Sequence, residues 1–317
     1  MSKVWWEQER TRFLDDCLAH INDSRKLPNA VERCSKLFSA LDKTWKGFYS
    51  YRKRSGDTNP TSESDLASDH AMIRDLLLFG ISEHSSAAFC QSKEVENLAL
   101  LSPQVMNHYT LEKRDYDPNN IAPKLVTEAS KEHSQLVNAL ANYKTAPDDP
   151  ELKVALLKKI AQLLYIIRCN IKHGEKTPRG PDIAKTNRDK DVCKTAVPVI
   201  ERFFDLLFRL PNERLALYGT LKRGEANHSM VKDLAETWLD GSTVCGALTE
   251  HHGLPMLIWD RTGSAINVEV LVSSGLASKF DELDAFEGSD YERVWIPANT
   301  RGGKEICNIY LKRQDGD

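Results

Sequence analysis

A chain of 317 residues is long enough for two hydrophobic cores, and at 41% hydrophobic it is not an intrinsically disordered chain. The formal charge is −3, and no run of 18 apolar residues occurs, which excludes a helix across a bilayer. Seven cysteines (17, 34, 90, 169, 193, 245 and 307) are scattered without a CxxC pair, so neither a disulfide framework nor a zinc site is expected. MSKVWWEQER at the start lacks the apolar stretch of a secretion signal. These features predict a soluble, cytoplasmic protein with no metal and no cofactor.

The first two thirds read as helices. Residues 3–22 and 29–54 show apolar spacings of three and four, and Ser64 to Cys90 continues the pattern behind Ser and Asp cap residues. Residues 91–123 are less regular, with breakers at Pro103, Pro118 and Pro123. Ala122 to Tyr143 is helical again. After TAPDDPE a helix follows with the stripe Leu152, Leu156, Ile160, Leu163/Leu164, Ile167, Ile171, stopped by Gly174. A last helix is expected over Asn187 to Leu210. Beyond Pro211 the pattern changes to short Val-, Ile- and Tyr-rich segments, LALYGTL, STVCGALTEH, LPMLIWD, INVEVLVS, YERVWIPA and EICNIYLKR. Two short helices interrupt them, near 229–238 and 277–286. The fold class is therefore multidomain, an all-α helical domain over 1–211 and a small α+β domain over 212–317.

Charge is divided unevenly between the two. From Leu215 onward there are 10 Lys and Arg against 16 Asp and Glu, and before it 33 against 30. Lys153 to Lys194 alone holds 11 basic and 4 acidic residues. Such a field suits a polyanionic ligand, RNA included, or is a solvated lysine face.

The string YGTLKRGEANH, Tyr218 to His228, runs a strand into a Gly-Thr turn whose backbone N–H groups can hold an anion. Together with GLPML (253–257), FDELDAFEGSDYERV (280–294) and CNIYLKR, it resembles the gamma-glutamylcyclotransferase-like superfamily, which includes gamma-glutamylamine cyclotransferases and plant avirulence-induced proteins. The resemblance spans 214–317. It implies that the domain is a mixed β-barrel, that Glu287 is the acid–base residue, that Tyr218, Gly219, Thr220 and Leu221 cradle a substrate carboxylate, and that a small gamma-glutamyl-type ligand is bound. Read from its neighbours alone, Glu287 belongs to a solvated acidic run.

Within the basic segment, LLYIIRCNIKHGEKTP places Arg168 and His173 five residues apart at a helix end, with Asn170 between them. This context resembles the HEPN superfamily (higher eukaryotes and prokaryotes nucleotide-binding). The resemblance implies metal-independent RNA cleavage in a homodimer joined through the helical domain, with Arg168, Asn170 and His173 catalytic and Lys172 and Lys176 holding RNA. An imidazole can move the proton of a ribose hydroxyl, and a guanidinium can offset charge on a phosphate. The alternatives are that His173 meets the helix dipole and that Arg168 pairs with a buried carboxylate. On the sequence, a HEPN ribonuclease, a bacterial toxin or antiviral defence effector with a sensing or regulating cyclotransferase-like domain, ranks first. A gamma-glutamyl cyclotransferase with a dimerising helical domain ranks second, and a non-catalytic binding protein third.

Overall fold

The computed structural model describes residues 6, 12–54, 69–101, 123–172, 183–234, 237–251 and 253–313. The chain divides after Leu207 into a helical unit and a unit built on one sheet.

The helical unit follows the apolar spacing closely. Its helices are α1 (Arg12–Lys26), α2 (Ala30–Arg54), α3 (Asp69–Phe79), α4 (Glu83–Cys90), α5 (Lys93–Leu100), α6 (Pro123–Thr145), α7 (Pro150–Lys172) and α8 (Ile183–Leu207). The single helix expected from Ser64 to Cys90 is two. Gly80 ends α3, where an added Cβ would lie 2.5 Å from the Leu76 carbonyl oxygen, and the Ser82 hydroxyl restarts the chain by accepting from Ser85 N at 3.1 Å. A short helix, α5, occupies ground the sequence reading leaves irregular. Ser92 caps it, and Val95, Leu98 and Ala99 supply a buried face. In α7 the stripe is wider than one face needs, with Leu156, Leu157, Ile160, Ala161, Leu163, Leu164, Ile166 and Ile167 all buried. The helix is packed on two sides, by α3 and α6. The chain leaves α8 three residues earlier than expected. Arg209 and Leu210 take left-handed backbone angles, φ 58° and 60°, and Pro211 cannot continue a helix.

The second unit is a six-stranded sheet with β1 (Arg214–Leu217), β2 (Thr237–His251), β3 (Leu254–Trp259), β4 (Ser264–Val272), β5 (Tyr291–Thr300) and β6 (Gly303–Lys312). Strand order is β3-β2-β4-β1-β6-β5, and a β2–β5 pairing at Thr243 and Asn299 closes it into a barrel. Among the described residues only the β1–β6 pair is parallel. Between Leu239 and Ser242 the register of β2 slips, and Gly241 sits there at φ 70°, a bulge that lets one long strand serve two neighbours. Alternation along β1 feeds two cores. Ala216 faces the barrel interior with Val244, Val270, Ile296 and Ile309, while Leu215 and Leu217 face outward.

That outer face is covered by α10 (Leu276–Glu287) through Leu276, Phe280 and Leu283. One turn of helix, α9 (Ser229–Lys232), adds Val231. The helix expected to reach residue 238 stops after Lys232, and Trp238 belongs to β2, paired with Leu271. Thr237 and Trp238 are strand-favouring residues, and the Trp238 ring packs against His228 with centroids 5.8 Å apart. Because Leu283 is fully buried beneath α10, Leu283→Ala is expected to cost about 2–5 kcal/mol, read as a lowered urea midpoint.

Candidate active site

The loop after β1 is held in place before it can hold anything else. Asn227 donates from its backbone N to the Thr220 carbonyl and from Nδ2 to the Thr220 hydroxyl, both at 3.0 Å. The backbone N of Arg223 donates to Glu269 on β4 at 2.9 Å, its guanidinium meets Asp240, and it lies 4.8 Å from the Trp238 ring centroid. The His228 ring is hydrogen-bonded to the Leu221 carbonyl at 3.2 Å. Among the described residues, no hydrogen bond engages the N–H groups of Gly219, Thr220 or Leu221. Three consecutive donors on a fixed loop suit a carboxylate.

These residues line a cavity of about 160 Å³. Ala216, Leu217, Leu221, Pro255 and Phe286 give it apolar walls, and Tyr218, Thr220, Asn227, Tyr291 and Tyr310 give it polar groups. Among the described residues that line it, Glu287 is the one carboxyl, and none is lysine, arginine or histidine.

The position of Glu287 follows from helical spacing. Phe280, Leu283 and Glu287 are three, four and seven apart, so Glu287 falls on the face of α10 that packs inward, while Asp281, Glu282 and Ala285 point to solvent. Burial without a cation raises its pKa from 4.5 to about 7. It also stands at the C-terminal end of the helix, where the macrodipole disfavours negative charge.

The chain turns away at once through Gly288, at φ 75° and ψ −164°, a region open to glycine and closed to other residues. Around it the phenols are neutral. Burial raises the pKa of Tyr218, whose hydroxyl donates to the Tyr310 carbonyl at 2.8 Å. Burial and the Asp284 carboxylate raise that of Tyr310, whose hydroxyl donates to Asp284 at 2.7 Å.

The structure thus brings Tyr218, Gly219, Thr220, Leu221 and Glu287, singled out in the sequence, to one cavity. Asn227, Pro255, Phe286, Tyr291 and Tyr310 were not singled out. All five lie inside the quoted strings: Asn227 is next to last in YGTLKRGEANH, Pro255 falls in GLPML, Phe286 and Tyr291 in FDELDAFEGSDYERV, and Tyr310 in CNIYLKR. The residues of the second motif are not described as a site. Arg168 lies on α7 at 7% exposure. Asn170 and Lys172 are on the same helix with side chains outside the described residues, as are all of His173 and Lys176. Among the described residues no group of three His, Cys, Asp or Glu could hold a metal ion, and no helix is long and apolar enough to cross a membrane.

The family described as gamma-glutamyl cyclotransferase, AIG2-like, matches residues 215–317, so the resemblance read from the strand and turn strings is supported for this domain. The match does not extend to the helical unit, and HEPN membership gains no support. No curated protein matches the chain. YkqA from Bacillus subtilis is 25% identical with a TM-score of 0.28, over 32% of this chain and 36% of that one. The chain therefore spans about a third of that protein's length. An AIG2-like protein from Mus musculus is 24% identical with a TM-score of 0.26, over 33% of this chain and 79% of that one. An uncharacterized protein from Pyrococcus horikoshii is 24% identical, TM-score 0.22, over 33% and 80%.

The glycine after Glu287 carries a checkable consequence. No atom lies within 4 Å of where a Cβ would sit, so Gly288→Ala is opposed by backbone strain alone. It is expected to lower stability by about 1–3 kcal/mol in chemical denaturation.

Proposed function

We propose that residues 215–317 act as a gamma-glutamyl cyclotransferase, releasing 5-oxoproline and a free amine. The observation that carries this is Glu287, with a pKa raised to about 7 by burial and, among the described residues, the one carboxyl of a cavity whose loop has three N–H groups without a hydrogen-bond partner among them. The free donors of Gly219, Thr220 and Leu221 would hold the substrate's α-carboxylate. Its α-amine attacks its own γ-carbonyl, forming the ring C–N bond, and the bond to the leaving nitrogen breaks. Ionised Glu287 takes the proton from the attacking nitrogen and returns it to the leaving one, so a single group serves both half-steps. A cavity of about 160 Å³ is smaller than the roughly 300–1,000 Å³ of a drug-sized site, so it suits the glutamyl part alone. The amine part then extends past Phe286, 42% exposed.

This order reverses the ranking drawn from the sequence. For the helical unit, metal-independent RNA cleavage by a homodimer stays a proposal, supported by the Arg168-x4-His173 spacing and the basic Lys153–Lys194 segment. With Arg168 only 7% exposed, its pairing with a buried carboxylate remains the competing reading. A cytoplasmic location and a role in toxicity or antiviral defence rest on the same footing. Incubating the protein with total RNA in a chelating buffer, beside His173→Ala, tests this; equal cleavage by both proteins rejects it.

For the cyclotransferase reading, 5-oxoproline release from gamma-glutamyl amines is expected to fall by at least 10²-fold in Glu287→Gln, the scale of lost general acid–base catalysis. Unimpaired release in that variant rejects it. Because the ionised form is the base, kcat/KM is expected to fall as pH drops below about 7. The linkage has the opposite sense for stability. The folded protein holds a proton on Glu287 that the unfolded chain has lost between 4.5 and about 7, so stability falls as pH rises through that window. Glu287→Gln should accordingly have the higher Tm at pH 8, with the difference vanishing toward pH 4.

A further inference from the structure

Asp284 precedes Glu287 by three residues on α10, so the two carboxylates are neighbours on the helix surface. Two negative charges at that spacing oppose each other's ionisation. Arg293 on β5 intervenes. Its Nε and Nη2 donate to the two Asp284 oxygens at 2.9 and 3.1 Å, and its Nη1 donates to Asn308 Oδ1 at 3.3 Å. The guanidinium also lies 4.0 Å from the Phe280 ring centroid, so it is fixed by the fork, the amide and the ring. Asp284 in turn accepts the Tyr310 hydroxyl, and the Tyr310 carbonyl accepts that of Tyr218. Both tyrosines line the cavity. Among the described residues no hydrogen bond or ion pair reaches the Glu287 carboxylate. Its raised pKa comes from burial, and a charge uncovered one turn away would act on a carboxylate that has no direct partner to buffer it.

We propose that Arg293 is a positioning residue for Glu287: its fork cancels the Asp284 charge one turn away and fixes the Tyr310 wall, leaving Glu287 as the carboxylate free to take and return a proton. This rests on the reading of Glu287 as the acid–base group. The ionisable groups that line the cavity with Glu287 are Tyr218, Tyr291 and Tyr310, held neutral at pH 7 by raised pKa values; the surrounding segments also carry Glu213, Arg214, Asp290 and Glu292, and on β6 Lys304, Glu305 and Lys312. All are common to the variants compared below.

The test is a carbon-13 NMR titration of the Glu287 carboxyl in the full chain, with 5-oxoproline release followed in parallel. Arg293→Met is expected to raise the titration midpoint by roughly one unit, as a like charge left uncompensated does. The acid limb of release should move with it. Arg293→Lys keeps the charge and should leave the midpoint near that of the unchanged protein. Asp284→Asn combined with Arg293→Met removes both charges and should restore it. An unmoved midpoint in Arg293→Met, or a double variant that fails to restore it, overturns the assignment. Where Arg293→Met does not fold, Asp284→Asn decides, because the uncompensated guanidinium should lower the midpoint and an unmoved one rejects the proposal. The titration needs no turnover. Midpoint shifts without any 5-oxoproline release would uphold Arg293 and reject the cyclotransferase reading.

Discussion

The second unit depends on keeping one carboxylate out of water, with no cation among the described residues that line its cavity. Burying an ionised group is costly, and proteins ordinarily pair such a group or leave it exposed. Here the cost is turned into a proton affinity near neutrality. The apolar wall of Leu217, Leu221 and Pro255, the helix end and the glycine turn all serve that outcome. The same wall that raises the pKa of Glu287 also buries the helix on the barrel, so stability and proton affinity share their residues.

Closure of the sheet makes this arrangement rigid. β2 bends at Gly241, pairs with β3, β4 and β5, and anchors through Asp240 the arginine that ties down the loop after β1. Glu269 on β4 holds the same loop through a backbone N–H. The loop is therefore fastened to two strands before any ligand arrives, and its free donors need little ordering on binding.

Much of this was legible in the residues. Six strand segments and the turn after β1 declared themselves by composition, and the helix near 277–286 lies within a residue of α10. Glu287 looked like one of a solvated run, yet its seven-residue spacing from Phe280 already placed it on the apolar face. What stayed hidden was of two kinds. Short elements such as α5 carry too few periods to stand out, and the Trp238 segment shows that one aromatic residue fits a helix pattern until a strand partner claims it. The Arg293–Asp284 fork joins residues nine apart across a helix and a strand, and only the fold sets that distance. In the helical unit the stripe of α7 was plain, while all the side chains proposed to act at its end except Arg168 lie outside the described residues.

One consequence of the cavity's acidity concerns heat rather than rate. A carboxyl whose pKa burial has raised toward neutrality changes its proton content whenever a ligand alters its surroundings. A ligand that draws it toward ionisation will release a fraction of a proton to the buffer, and one that deepens its burial will take a fraction up. The enthalpy measured on binding will then vary with the buffer's own heat of ionisation. That dependence can tell an amine-bearing ligand from an uncharged one without any reaction taking place.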